Sequence, residues 1–513
     1  MNKFYQYLVE IDAWNGAAVE TLKFCGKPQF GEGWEPYLAD PGLLKVTMFS
    51  NNKTFGTSTY SYGEIVFNNY ANESIGQFSG PLDYLRNYSF DGRAVRVLQG
   101  DYDQPYNNFT LVYTAAVDHI SFDWNKITVS IRSRQVELND NLDTGVFAGD
   151  NVLPAGVEGN ATDLKDKPKP ILFGRVFNAQ PALCNTSKLI YAVSPKTGLA
   201  ALYMGAELRV YDNGVPLSFG GVYSDQADME ANAPDPGYFK VWEIGGYFRL
   251  GASPAGQITF DGCSYGRSVT AKASNLIQDV LTIADKGIAI DQSSFDAIAV
   301  SCPAENGVYY TADTPIASIL DTLCAGAGIF WYFNAQGELA LGQFVDPSTL
   351  PVGVTLTTDS IIENFKRMAI SDTPSGVPIK SLSLNYAKNY TLQTTAAGSV
   401  ATQRQAWIKE QWRTVKIVQA SDHVLSGDLV IDTALTDPNG TEAQRRFDLY
   451  SVDRDLVSMD LDLDVFGGIN NIRPGLGFSL TLNDRFGFTD KRMTLVNFTV
   501  NHVTEKVTVN LWG

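Results

Sequence analysis

The chain has 513 residues, 44% of them hydrophobic, and a formal charge of −17 from 39 Lys+Arg against 56 Asp+Glu. Its length exceeds what one core organises, its apolar content is too high for disorder, and its charge repels phosphate backbones, which disfavours sequence-specific nucleic-acid binding. With 24 Tyr, 28 Phe and 45 Gly, many strands joined by tight turns are expected rather than a helical fold.

Polar residues at Tyr5, Gln6, Tyr7, Glu10 and Asp12 interrupt any signal-like apolar stretch, and the longest apolar run, Cys324 to Phe333, is too short to span a bilayer. The expectation is a soluble chain made in a cytoplasm, with no membrane span. Five scattered cysteines (Cys25, Cys184, Cys263, Cys302, Cys324) lack ligand spacing and read as buried thiols.

Residues 1–145 read as short strands, among them Gly63–Phe67, Ala94–Leu98, Thr110–His119 and Lys126–Arg132, with one or two helical turns at Pro81–Arg86. In Lys126–Arg132, Ile127, Val129 and Ile131 alternate with Thr128, Ser130 and Arg132, giving one apolar and one polar face. Asn139–Lys169 is rich in Gly, Asp, Asn and Pro and reads as a linker or long arm. It opens a β-rich middle domain, 146–265. A small α+β domain, 266–348, follows. Leu276, Ile277, Val280 and Leu281 repeat at helical spacing with Gly287 as the expected C-cap. A second helix is expected to take Thr314 as N-cap and Pro315 at its first position, and to end at Gly326 or Gly328. A hairpin then runs from Ile329 through Asn334–Gly337 to Phe344. Residues 349–513 return to strands, with one helix at Thr441–Tyr450 after the turn Asp437–Gly440. The fold class expected is mainly β and multidomain: N- and C-terminal β-barrels flanking the β-rich middle domain and the α+β module.

Two hairpins resemble each other. Leu111-Val-Tyr…Val117-Asp-His119-Ile120 leads into Lys126-Ile-Thr-Val-Ser-Ile131, and Leu495-Val-Asn…Val500-Asn-His502-Val503 into Lys506-Val-Thr-Val-Asn-Leu511, with histidines at matched places. Two readings stand: ordinary half-buried hairpins, or two copies of one barrel, from which three chains could build a ring of six.

Chemistry is sparse. Gly262-Cys-Ser264-Tyr-Gly266 has the form of a nucleophile elbow, with His423 or His502 as a base, but its flanks are β rather than alternating strands and helices. Asp460, Asp462 and Asp464 alternate as on one strand face, and Asn139, Asn141 and Asp143 imitate a calcium loop whose Gly falls at position seven and whose twelfth residue is Asp150 rather than Glu. A solvated face accounts for the first and a turn for the second. With three histidines, general bases are scarce. No residue is nominated as catalytic, cofactor-binding or metal-ligating, no cofactor is expected, and an enzyme is not.

Gly63-Glu-Ile-Val-Phe-Asn68, Tyr88-Ser-Phe-Asp-Gly-Arg93, Val95-Arg-Val-Leu-Gln-Gly100, Lys167-Pro-Lys-Pro-Ile-Leu-Phe-Gly-Arg175, Leu384-Asn-Tyr-Ala-Lys-Asn-Tyr-Thr-Leu-Gln393, Gln411-Trp-Arg-Thr414, Arg445-Arg-Phe-Asp-Leu-Tyr450 and Val507-Thr-Val-Asn-Leu-Trp-Gly513 follow one another along most of the chain. In this order they resemble the baseplate-hub or tail-tip proteins of long-tailed bacteriophages and gene transfer agents. The resemblance implies a homotrimeric virion hub that closes the tail tube. It also implies contacts to tube or distal-tail proteins, the tape-measure protein and a central tail fibre. A cysteine-bound iron–sulfur cluster found near the C-terminus of some relatives does not carry over, since no cysteine follows Cys324. A distal-tail adaptor ring and a carbohydrate-binding receptor protein of the tail are the alternatives.

Overall fold

The computed structural model describes residues 5–27, 33–48, 56–71, 79–101, 104–200, 202–203, 206–264, 271–368, 378–419, 426–437, 441–482 and 486–513. The chain is mainly β and multidomain. The first ten strands are β1 (Tyr5–Trp14), β2 (Val19–Cys25), β3 (Leu38–Asp40), β4 (Leu43–Thr47), β5 (Gly56–Thr57), β6 (Thr59–Tyr62), β7 (Ile65–Asn68), β8 (Ala94–Asp101), β9 (Thr110–Phe122) and β10 (Lys126–Arg132). Seven of them form one sheet in the order β2-β1-β8-β9-β10-β7-β3. A 3₁₀ turn at Asp83–Asn87 links β7 to β8, where the sequence suggested helical turns.

The segment 140–170 holds no regular element among the described residues, as its composition implies, yet it is packed rather than strung out. Phe147 and Val157 are buried with Met229 and Tyr247. Asn151 donates to the Cys184 carbonyl (2.7 Å) and accepts from the Glu158 amide (2.7 Å), satisfying backbone groups that a strand ladder would otherwise serve.

The middle of the chain contains β11 (Ile171–Ala179), β12 (Ala182–Asn185), β13 (Ile190–Ala192), β14 (Leu199–Ala200), β15 (Leu202–Tyr203), β16 (Ala206–Glu207), β17 (Arg209–Asp212), β18 (Val215–Pro216), β19 (Ser218–Val222), the helix α1 (Gln226–Ala231), β20 (Tyr238–Trp242), β21 (Tyr247–Leu250) and β22 (Ile258–Ser264). Two sheets, β18-β17-β22-β11-β23 and β12-β13-β21-β20-β19, enclose Leu172, Val210, Phe239, Phe248 and Phe260; β23 is Gly307–Tyr310, reached only after two further helices.

Those helices are α2 (Ala273–Ala284) and α3 (Gln292–Ser301), followed by α4 (Ile316–Ala327), β24 (Ile329–Phe333) and β25 (Leu339–Gln343). Leu276, Ile277, Val280 and Leu281 are buried as their spacing requires. The caps differ from expectation. The left-handed residue closing α2 is Asp285 (φ 48°), two positions before Gly287, and Pro315 rather than Thr314 is the N-cap of α4. The Thr314 hydroxyl donates to the Ala312 carbonyl instead of capping the helix. Gly328 ends α4 in the left-handed region, as its lack of a side chain permits. Arg446, 1% exposed, donates to the Ala325 and Gly326 carbonyls (2.9 and 2.6 Å) and pairs with Glu442, so the carbonyl end of α4 is bound by a cation.

The last part contains β26 (Val352–Thr357), β27 (Glu363–Met368), β28 (Ser381–Tyr386), α5 (Thr402–Trp407), β29 (Arg413–Val418), β30 (Asp428–Asp432), α6 (Thr441–Tyr450), β31 (Leu456–Asp462), β32 (Gly477–Leu482), β33 (Phe488–Asn501) and β34 (Lys506–Trp512). Helix α6 spans the residues the sequence indicated; of the turn before it, residues 438–440 lie outside the described ones. The C-terminal sheet runs β26-β32-β33-β34-β31-β27, and β28–β30 form a separate three-stranded sheet.

Neither barrel expected from the sequence closes through its ladders among the described residues. The N-terminal sheet comes nearest: the Cys25 amide donates to the Glu35 carbonyl and the Glu35 amide to the Lys23 carbonyl, each at 2.9 Å, which ties its β2 edge to the chain entering β3. Strands also cross the expected domain limits. β4 pairs with β33, and β5 with β24. One contiguous core accordingly runs from Val9, Ile11 and Val97 through Leu44 and Val46 to Leu495, Val500 and Val507.

Candidate functional site

The repeat suspected in the sequence is present in the ladders. β7–β10 and β31–β34 have the same order, with the last strand beside the first: β8-β9-β10-β7 and β32-β33-β34-β31. This is a Greek-key arrangement in both halves, and 3₁₀ turns follow β7 and β31. The registers coincide. Ala94 opposes Ala116 as Gly477 opposes Thr494; Ile127 opposes Phe67 and Phe122 as Val507 opposes Leu461 and Val500. Each hairpin has a bulge at the same rung: Ser130 and Ile131 oppose His119 and Val117, while Asn510 and Leu511 oppose Asn497 and Leu495. Asp118 and Val496 are thus the equivalent extra residues.

The histidines are not equivalent. His119 stands in β9 opposite Ser130, and its counterpart in β33 is Asn497, whereas His502 lies in the turn between β33 and β34. An alignment on Val-x-His places His502 five residues beyond the position that the ladder register gives to His119.

The second hairpin is built into the junction of the two halves. β4 pairs with Asn497–Asn501 of β33 on one side and with β6 on the other. Its alternation turns Leu44 and Val46 inward and Leu43 and Lys45 outward. Asn501 accepts from the Val503 and Thr504 amides (3.0 Å each), an Asx turn that directs His502 inward. The His502 ring is 2% exposed, 4.9 Å from the Tyr7 ring and 6.4 Å from that of Tyr113. Among the described residues neither of its ring nitrogens has a hydrogen-bond partner, and burial pushes its pKa down to about 3. The Tyr5 amide donates to Glu505 of the same turn (3.1 Å), and its hydroxyl donates to Asp464 in the 3₁₀ turn beyond β31 (2.5 Å). Beside the junction a cavity of about 220 Å³ is lined by Tyr60, Tyr62, Tyr113, Tyr332 and Arg473. Another of about 370 Å³ lies across Tyr60 and Tyr62, against Arg132 and Trp331.

The first hairpin has the opposite surroundings. From Asp118 to Lys126 every residue except the partly buried Ile120 is exposed, Trp124 by 80%. Asp118, His119 and Ser130 form a row, with Asp118 to the ring Nδ1 at 3.2 Å and Ser130 Oγ to Nε2 at 3.3 Å; Ser130 also donates to Glu64. The order of the three groups is that of a catalytic triad, hidden along the chain because the serine comes from the neighbouring strand. The His119 side chain is 64% exposed, so water competes for each of these bonds, whereas activation of a serine calls for a desolvated site.

The weighed motifs, where described, are engaged by their own fold. Ser264 is buried in β22 and accepts from the Gly174 amide (3.1 Å), and burial raises the Cys263 thiol to about 11. Tyr265, Gly266 and His423 lie outside the described residues. Asp460 accepts from Asn364 and Thr508, Asp462 pairs with Lys506 (2.8 Å), and Asp464 stands in a 3₁₀ turn beyond β31 rather than on the strand. Asp143 caps the Gly145 amide, and Asn141 bridges to Pro315. Among the described residues no group of His, Cys, Asp and Glu is arranged to hold a metal, and all five cysteines are free and buried.

No family model and no curated protein matches this chain. Among solved structures, the 43 kDa tail protein of prophage MuSo2 from Shewanella oneidensis is 10% identical, with 99% of this chain and 98% of that one covered and a TM-score of 0.37. A tail protein from Neisseria meningitidis MC58 is 10% identical, covering 99% and 96%, with a TM-score of 0.37. A chain of the native gene transfer agent virion is 12% identical over 68% of this chain and 85% of its own, with a TM-score of 0.39.

Proposed function

We propose that this chain is a structural subunit of a phage-type tail, built to assemble around an axis rather than to turn over a substrate. The observation that carries the reading is the register-matched doubling of the four-stranded unit. A chain with two equivalent units presents two near-equivalent faces, so three chains offer six positions around one axis. The succession of tail-hub-like segments supports placing it at the tail tip. In this reading the chain is the baseplate hub, a homotrimer in the virion. It closes the tail tube, contacts a tube or distal-tail protein, the tape-measure protein and a central fibre, and serves host attachment and DNA ejection after synthesis in the host cytoplasm. Its acidic charge keeps the free subunit soluble and repels DNA passing a channel.

Light scattering over a concentration series tests the assembly. The expected mass is three times the 56.1 kDa of one chain, with six lobes seen down the axis by electron microscopy. A monomer at every concentration would remove the reading. A second reading, carbohydrate recognition, is favoured by the aromatic cavity at Tyr60, Tyr62 and Tyr332, with Asn334 and Gln336 on its wall. Glycan-array binding that is lost in Tyr332→Ala would support it.

A further inference from the structure

The two hairpins share one ladder but not one neighbour. In β33, residues Asn497–Val500 take β4 on the edge away from β34. Their counterparts in β9, His119–Phe122, have β10 on one side and, among the described residues, no strand on the other. The β8 side of β9 is served only as far as Val117, which exchanges hydrogen bonds with Arg93 and Gly92. The Asp123 amide donates to the Lys126 carbonyl, so 123/126, 121/128 and 119/130 are the bonded pairs of the hairpin. Alternation therefore turns the amides and carbonyls of Ile120 and Phe122 to the vacant edge. These are the counterparts of Phe498 and Val500, which are 3% and 0% exposed beneath β4. Phe122 is 43% exposed, and Trp124 stands beside it on the turn.

We infer that the vacant edge of β9 at His119–Phe122, with Trp124 as an apolar anchor, is the docking site for a strand from a second copy of this chain. The occupant follows from the repeat. β4 and β6 lie between β3 and β7, the strand that closes the first unit. In the second unit the corresponding insertion lies between β27 and β31, and it carries β28–β30, with β29 and β30 as the outer strands of their sheet. Within one chain the first insertion covers the second unit. Between chains, the second insertion of one copy covers the first unit of the next. Such contacts are head-to-tail and close into a ring when the rotation permits, and β-strand addition supplies the main-chain bonds.

This inference rests on the self-association part of the reading above, and the full-length chain tests both. Native mass across concentration is combined with hydrogen exchange of the peptide spanning Asp118–Trp124, in the wild type and in Phe122→Pro and Trp124→Glu. Phe122 uses its amide for no rung with β10, so proline there leaves the hairpin bonded, and Trp124 is on the surface, so glutamate there leaves the core intact. The expected result is protection of the peptide that rises with assembly, and a dissociation constant raised about thirtyfold or more in each variant, as loss of an interface anchor does. A wild type that assembles with the peptide unprotected and both variants unaffected would overturn the docking site while leaving self-association standing. A wild type that stays monomeric would overturn both. Protection that appears only when a different tail protein is added would overturn the choice of a second copy.

Discussion

β9–β10 and β33–β34 agree rung for rung, including the bulge, yet the end of β9 lies in solvent and the end of β33 packs in the core. Ile120 and Phe498 occupy the same position in the repeat; the first is partly buried, the second 3% exposed. The ladder is a property of the paired strands, set by alternation and by the bulge, whereas burial is a property of what lies on the next edge. On that edge the differing neighbour is β4. It covers β33 as far as Asn501, next to the turn whose His502 ring packs on Tyr7, and no described strand does the same for β9.

The comparison is tested most strongly by truncating the equivalent pair. Phe498→Ala removes a ring packed in the shared core, and a loss of about 3–5 kcal/mol is expected in urea unfolding. Ile120→Ala, half covered, is expected to cost about 1 kcal/mol. Equal losses would mean that the first hairpin is covered in the isolated chain as well.

An effect smaller than that of Phe498→Ala is expected from His502. Its pKa is lowered in the folded state to about 3, while in the unfolded chain it is near the ordinary 6.5, so the unfolded state takes up the proton first as pH falls. The contribution of the neutral ring is fully present above pH ~6.5 and is lost progressively towards pH ~3, reaching about 2 kcal/mol by pH 5 at 1.36 kcal/mol per unit. Urea midpoints at pH 7, 6 and 5 should fall more steeply for the wild type than for His502→Phe; parallel lines would show that the ring is reached by solvent. The smallest change is expected at the exposed tip: Trp124→Ser should leave the stability of the monomer within about 0.5 kcal/mol, read by thermal unfolding at a concentration below assembly. A larger loss would place Trp124 in a packed environment within the monomer.

Local pattern carried far in this chain. Ile127, Val129 and Ile131 announce β10, Leu276–Leu281 announce α2, and α6 falls where its composition places it. Helix α3 was not among the expected elements: Ser293 and Ser294 at its start are weak helix formers, and the Asp291 side chain that accepts from their amides supplies the cap. The candidate site was half legible. The hairpin repeat is visible in the residues, but the histidines that seemed to mark it belong to different places, one on a strand and one in a turn.

The alternation of apolar and polar side chains determined by itself that this would be a chain of strands, and where most of them run, since period-two burial needs only neighbours in sequence. Only the tertiary structure decided which edges those strands meet. Leu43–Thr47 has the alternation of any half-buried strand, and its partner lies about 450 residues away at Asn497–Asn501. Backbone hydrogen bonds carry no side-chain signature, so nothing in either segment names the other.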